Sequence, residues 1–140
     1  MPDIVQELTI EAAPEKVFNA LTRQEELARW WTNHVTAEPK VGSIAEFSFN
    51  NGAVVFRMEI AELNPGKRVH WIVRHGPPHW KGTDVTWDLS PVGGGSKLLF
   101  GHHGFAVADA AYEETAGGWQ YFLGSLKSYL ETGKSTPHSY

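Results

Sequence analysis

The sequence has 140 residues, a net charge of −4 with neutral histidines, and no cysteine. That length suits one domain over residues 1–140 with residues 134–140 as a frayed tail, and the lack of thiols excludes a disulfide framework, a thiolate nucleophile and a Cys-based zinc site. The 12 Lys and Arg residues form no cluster, which excludes the basic stripe of a nucleic-acid binder, and with neither an apolar run of about 18 residues nor a basic-then-apolar leader the chain is expected to be cytoplasmic with no membrane span.

Residues 4–11 alternate, with Ile4, Leu8 and Ile10 on one side and Val5, Glu7, Thr9 and Glu11 on the other, the pattern of a half-buried strand. Pro14 then suits the first turn of a helix and Glu15 its positive end. Val17, Phe18 and Leu21 supply the apolar face of that helix, and a second short helix is predicted over residues 24–30.

Residues 45–49 form the next predicted strand, with Phe47 and Phe49 on one side. Asn50-Asn51-Gly52 is a hairpin signal. Val54, Phe56, Met58 and Ile60 then share a face opposite Arg57 and Glu59. After the Asn64-Pro65-Gly66-Lys67 turn, Val69, Trp71 and Val73 face inward and His70 and Arg74 outward.

His75-Gly76-Pro77-Pro78-His79 reads as a rigid loop. Thr83, Val85, Trp87 and Leu89 make another inner row, with Asp84, Thr86 and Asp88 toward water. Gly93-Gly94-Gly95 turns the chain into a last strand carrying Leu98, Phe100 and His102 on one face and Leu99 on the other. From about residue 108 to 131 the period becomes helical. Tyr112, Ala116, Trp119, Leu123, Leu126 and Leu130 form one stripe, and Gly133 is positioned as a C-cap.

Short hairpin turns imply antiparallel pairing. The fold class is therefore α+β: a curved six-stranded antiparallel sheet around a long C-terminal helix, with two short helices after the first strand. The outer sheet face is polar, so the long helix must cover the inner one.

Particular residues connect this order of elements to a known family. Pro14-Glu15-Lys16-Val17-Phe18-Asn19-Ala20-Leu21-Thr22 resembles the first helix of the helix-grip fold of the START and SRPBCC superfamily. Leu27-Ala28-Arg29-Trp30-Trp31 resembles its second helix, Pro65-Gly66-Lys67-Arg68-Val69 its turn before the fourth strand, and His102-His103-Gly104-Phe105 the end of its last strand. Gly118-Trp119 followed by Leu123, Leu126, Leu130-Glu131 and Gly133 is similar to its C-terminal helix. Together they resemble the branch named for activators of the ninety-kilodalton heat-shock chaperone's ATPase, over almost the whole chain. The resemblance implies a helix-grip fold and admits a chaperone as partner.

Six Trp, seven Phe and four Tyr are the main chemical feature. Phe47, Phe56, Met58, Trp71, Trp87, Phe100 and Trp119 form the expected inner set, with Phe122 beside Trp119 and with Trp31 and Trp80 near the openings. They could line a pocket for a small apolar or aromatic molecule. They could equally fill the interior, since each buried ring brings about 150–250 Å² of surface. Gly117-Gly118 inside the long helix fits either close approach to a strand or ligand, or a local bend.

No metal site is expected: His75 and His79 are split by Gly-Pro-Pro, and His102 and His103 should point to opposite faces. No cofactor is expected either. His102, facing inward, could be a polar anchor or, with Tyr112, a weak candidate for the acid–base pair of a cyclase or dehydratase. Glu59, Asp84 and Asp88 with Arg57 and Arg74 read as cross-strand pairs on a solvated face.

The expected function is non-enzymatic binding of a small hydrophobic molecule. The alternatives are a chaperone co-factor, which needs a complementary charged face or an exposed apolar patch with Trp30, Trp31 and Trp80 as its candidates, and a cyclase- or dehydratase-like enzyme. Edge strands allow a monomer or a homodimer.

Overall fold

A computed structural model describes residues 3–32, 34–49 and 54–134. The chain runs β1 (Ile4–Ile10), α1 (Pro14–Thr22), α2 (Gln24–Trp30), β2 (Val35–Thr36), β3 (Ile44–Phe49), β4 (Val54–Asn64), β5 (Arg68–His75), β6 (Asp84–Val92), β7 (Gly95–His103) and α3 (Ala110–Thr132). The strands make one seven-stranded antiparallel sheet in the order β1-β7-β6-β5-β4-β3-β2. After β1 the chain crosses to the far edge through α1 and α2, then meanders back. Bulges between Arg57 and Met58 and between Ile60 and Glu62 interrupt the β4–β5 register, and bulges bend and twist a strand. This is the expected α+β helix-grip arrangement.

The strand number differs by one from the expected six, because β2 contains two residues and a period of two cannot show itself over that length. The loop after β5 also contains a 3-10 turn, Pro78–Trp80. The turn expected at Asn50-Asn51-Gly52 lies outside the described residues, although β3 and β4 pair antiparallel from Phe49 and Val54 outward. The tail expected over residues 134–140 lies outside them from residue 135 on.

Local chemistry sets the helix ends. Pro14 occupies the first helical position of α1 and Glu15 its first turn, where a missing N–H costs nothing and an acid meets the positive dipole end. Trp30 Nε1 donates to Ala20 O at 2.8 Å and so ties α2 to α1. Asp109 caps α3 by accepting from Tyr112 N at 3.0 Å, and Gly133 ends it at φ 77°, a conformation glycine adopts without steric cost.

The inner face carries Phe47, Met58, Trp71, Trp87, Leu98 and Phe100, and α3 lays Trp119, Leu123 and Leu126 against it, all buried. Tyr112, Ala116 and Leu130 of the predicted stripe are partly buried against the same core. Outside, Arg57 pairs with Glu46, Arg74 with Glu59, Arg68 with Glu62 and Asp88, and His70 with Asp84. Thr86, expected to face water, lies on that outer face but is only 9% exposed, because the His103 ring covers it and Nε2 meets its hydroxyl at 2.9 Å. Gly101 makes room for that ring: a Cβ there would lie 2.3 Å from His103 Nε2.

The free edge of β1 is partly occupied. Lys127 Nζ donates to Thr9 O, and Glu131 accepts from Glu11 N at 2.9 Å. Charged groups on an edge discourage strand addition.

Gly117 has no structural requirement to be glycine. It is exposed, and an added Cβ would meet nothing within 4 Å. Gly117→Ala is expected to raise the unfolding free energy by about 0.5–1 kcal/mol, read from the urea midpoint; a drop would show a bend that alanine cannot follow.

Candidate functional site

A cavity of about 330 Å³ lies between one end of the sheet and α3. The C-cap of α2 supplies Trp31; the β3–β4 hairpin supplies Phe49, Val54 and Phe56; the loop after β5 supplies Pro77, His79 and Trp80. Helix α3 supplies Glu114, Thr115, Gly118, Trp119 and Phe122, which recur at helical spacing and so face the same way. Small-molecule pockets span about 300–1,000 Å³, and a cavity of about 150 Å³ takes up one benzene, so the space suits a molecule of about two rings.

The wall is a chain of ring contacts. Trp31 and Trp119 have centroids 5.1 Å apart, Trp80 stacks on Trp119 at 6.0 Å, and Phe56 meets Trp80 at 4.3 Å. Phe122 lies 6.3 Å from Trp31 and 6.2 Å from Phe49.

Behind the wall a buried polar line holds Trp119 and Trp80. Trp119 Nε1 donates to His102 Nδ1 at 3.0 Å, so the proton of the neutral ring sits on Nε2. Nε2 donates to Thr83 Oγ1 at 2.9 Å, and that hydroxyl donates to Trp80 O at 2.6 Å. Burial, aided by the nearby His103 and His79, lowers the His102 pKa from 6.5 to about 3.

The polar part of the lining is also ordered. Thr115 Oγ1 accepts from Trp80 Nε1 at 3.2 Å and lies within hydrogen-bond reach of Ala111 O at 3.0 Å and of His79 Nε2 at 2.9 Å.

Among the expected site residues, Trp31, Phe56, Trp80, Trp119 and Phe122 come together on the cavity wall. Phe47, Met58, Trp71, Trp87, Phe100 and His102 do not; they are fully buried in the closed core behind it. Nε1 of Trp71 and of Trp87 is buried without a hydrogen-bond partner among the described residues. Phe49, Val54, Pro77, His79, Glu114, Thr115 and Gly118 complete the wall and were not among the expected residues. The signal for Glu114 and Thr115 was their i,i+4 relation to Gly118 and Trp119.

Two expected arrangements are not formed. Trp30, Trp31 and Trp80 do not make an exposed patch: they are 0%, 2% and 6% exposed. His102 and Tyr112 do not form an acid–base pair, since both His102 nitrogens are engaged and Tyr112 Oη donates to Asp3 O at 2.8 Å. On the opposite face, Asp3 accepts from Gly104 N and meets His103 Nδ1 at 3.2 Å, both of which lower its pKa. These bonds pin the start of β1 to the end of β7. Among the described residues no group of three or more His, Asp or Glu side chains is placed to hold a metal, and no helix is long and apolar enough to cross a membrane.

The family model described as Activator of Hsp90 ATPase homolog 1-like protein matches residues 11–131. The chain belongs to that family. The Aha1 dimer from Colwellia psychrerythraea is similar at 33% identity and TM-score 0.88, over 96% of this chain and 100% of that one. Protein MLL2253 from Mesorhizobium loti is similar at 28% identity and TM-score 0.80, over 92% of this chain and 96% of that one. Protein CV1439 from Chromobacterium violaceum is similar at 26% identity and TM-score 0.74, over 92% of this chain and 96% of that one. No curated protein matches the chain. Activator-homologue membership together with the buried aromatic cluster supports a ligand-binding or activator-like module.

Proposed function

We propose that this chain is a non-enzymatic binding protein that takes a small apolar or aromatic molecule into the cavity between the sheet and α3. The observation that carries this reading is Gly118. Glycine inside a helix costs about 1 kcal/mol relative to alanine, yet a Cβ at Gly118 would meet nothing within 4 Å, and the residue lies on the cavity wall. Its lack of a side chain keeps the space open. Expected wall residues are Trp31, Phe56, Trp80, Trp119 and Phe122.

The test is a titration of the protein with neutral 2-naphthylmethanol, followed by tryptophan fluorescence. Saturable binding is expected, and Gly118→Leu, which adds a side chain on the wall without removing any other group, is expected to weaken it by about tenfold or more while leaving the unfolding midpoint unchanged or higher. A wild-type protein that binds neither this probe nor other neutral bicyclic compounds would sink the reading.

The family description favours a second reading, a chaperone co-factor. It predicts stimulation of the ATPase of the ninety-kilodalton heat-shock chaperone on addition of this protein, and an unchanged ATPase rate would eliminate it. The Colwellia relative is described as a dimer, so we also propose a homodimer here. Light scattering that gives the monomer mass at every concentration would exclude it.

A further inference from the structure

We infer that the cavity selects an organic cation, a primary or alkylated ammonium carried on one or two rings, over neutral or anionic molecules of the same shape. This rests on the binding reading above and adds to it the charge of the ligand. Aromatic rings and a carboxylate line the cavity. Trp31, Phe56, Trp80 and Trp119 put aromatic rings on the lining, and Trp is the ring that attracts a nearby cation most strongly.

The polar lining has the same sign. Glu114 is an exposed carboxylate on the lining. Trp80 directs its N–H to Thr115 Oγ1, and the Thr115 hydroxyl has Ala111 O and His79 Nε2 as its own acceptors, so neither offers a hydrogen to a ligand. Among the described residues the lining contains no Lys or Arg that could neutralise an anion, and the chain as a whole carries net charge −4. A carboxylate ligand would therefore enter a space with no cation among the described residues to receive it, whereas an ammonium would meet the Glu114 counter-ion beside aromatic rings.

The test uses three naphthalenes of one shape at about pH 8, where an imidazole is ordinarily neutral and an alkylammonium charged: 2-naphthylmethylammonium, 2-naphthylmethanol and 2-naphthoate, titrated calorimetrically. The ammonium is expected to bind about tenfold tighter than the alcohol, and the carboxylate weakest. Glu114→Gln is expected to weaken the ammonium by about three- to fivefold more than it weakens the alcohol, and added salt should reproduce that difference in wild type only. Glu114 is exposed, so the variant is expected to fold as wild type does. Equal binding of ammonium and alcohol, or tightest binding of the carboxylate, overturns the inference while leaving the cavity reading intact. An ammonium affinity unchanged in Glu114→Gln removes the counter-ion on which it depends. Failure of all three compounds to bind overturns the cavity reading as well.

Discussion

Trp119→Ala is expected to lower the unfolding free energy by about 3–5 kcal/mol, the range for removing a large buried aromatic side chain. Trp119 is 3% exposed and lies between the cavity wall and the core, with Phe100 at 4.6 Å and Trp31 at 5.1 Å. Its removal joins the existing cavity to new space, and it leaves His102 Nδ1 as a buried acceptor without its donor. An orphaned buried polar group alone costs about 1–3 kcal/mol, which puts Trp119→Ala at the upper end of the range. Trp119→Phe separates the two effects: it keeps most of the ring and loses the donor, so its cost should fall near that of the orphaned acceptor. The measurement is a urea denaturation series on the three proteins. A Trp119→Ala variant within about 1 kcal/mol of wild type would contradict the packing of α3 on the sheet.

Acid sensitivity below about pH 6.5 is the second large effect. In the fold His102 resists protonation down to about pH 3, while in the unfolded chain it titrates at its ordinary 6.5. Between those values the unfolded chain binds the extra proton, so stability is fully retained above about 6.5 and falls as the pH drops, by up to about 1.4 kcal/mol per pH unit. The carboxylates with lowered pKa act in the same direction but later. Asp3 and Glu131 start from ordinary values of 3.8 and 4.5, so the stability they contribute is lost only below that range. The slope between about 6.5 and 4.5 therefore reports His102. His102→Gln offers an acceptor to Trp119 and a donor to Thr83 without a titrating ring. Its stability should be nearly flat across that interval, and a slope equal to that of wild type would rule out His102 as the source.

Alternation is what made the sheet legible. Phe47 and Phe49, Trp71 and Val73, and Val85 and Trp87 each occur at a spacing of two, and each pair points inward as that spacing requires. Helix ends were legible where one residue supplies the chemistry, as at Pro14 and Gly133. Strand β2 was not, because two residues carry no period.

The candidate site was legible only in part. Alternation assigns a ring to a face, but it says nothing about where along the strand the covering helix departs from the sheet. Trp71 and Phe56 both read as inner-face residues, yet Trp71 is fully buried in the core while Phe56 borders the cavity. Neighbours in sequence diverge as well. Trp30 packs into the core with its indole N–H on Ala20 O, whereas Trp31 forms cavity wall. Glu114 and Thr115 lie outside the apolar stripe, and Thr115 gains its partners only from the approach of the loop carrying His79 and Trp80.

The sequence by itself determined which faces are apolar, where the long helix stops, and that the rings of successive strands converge on one surface, because those properties follow from residue spacing and single-residue backbone preferences. The tertiary structure decided which rings close the core and which border open space, and which polar groups pair. Those depend on distances between elements far apart in the chain: how far α3 stands off the end of the sheet, and how near the loop after β5 comes to it.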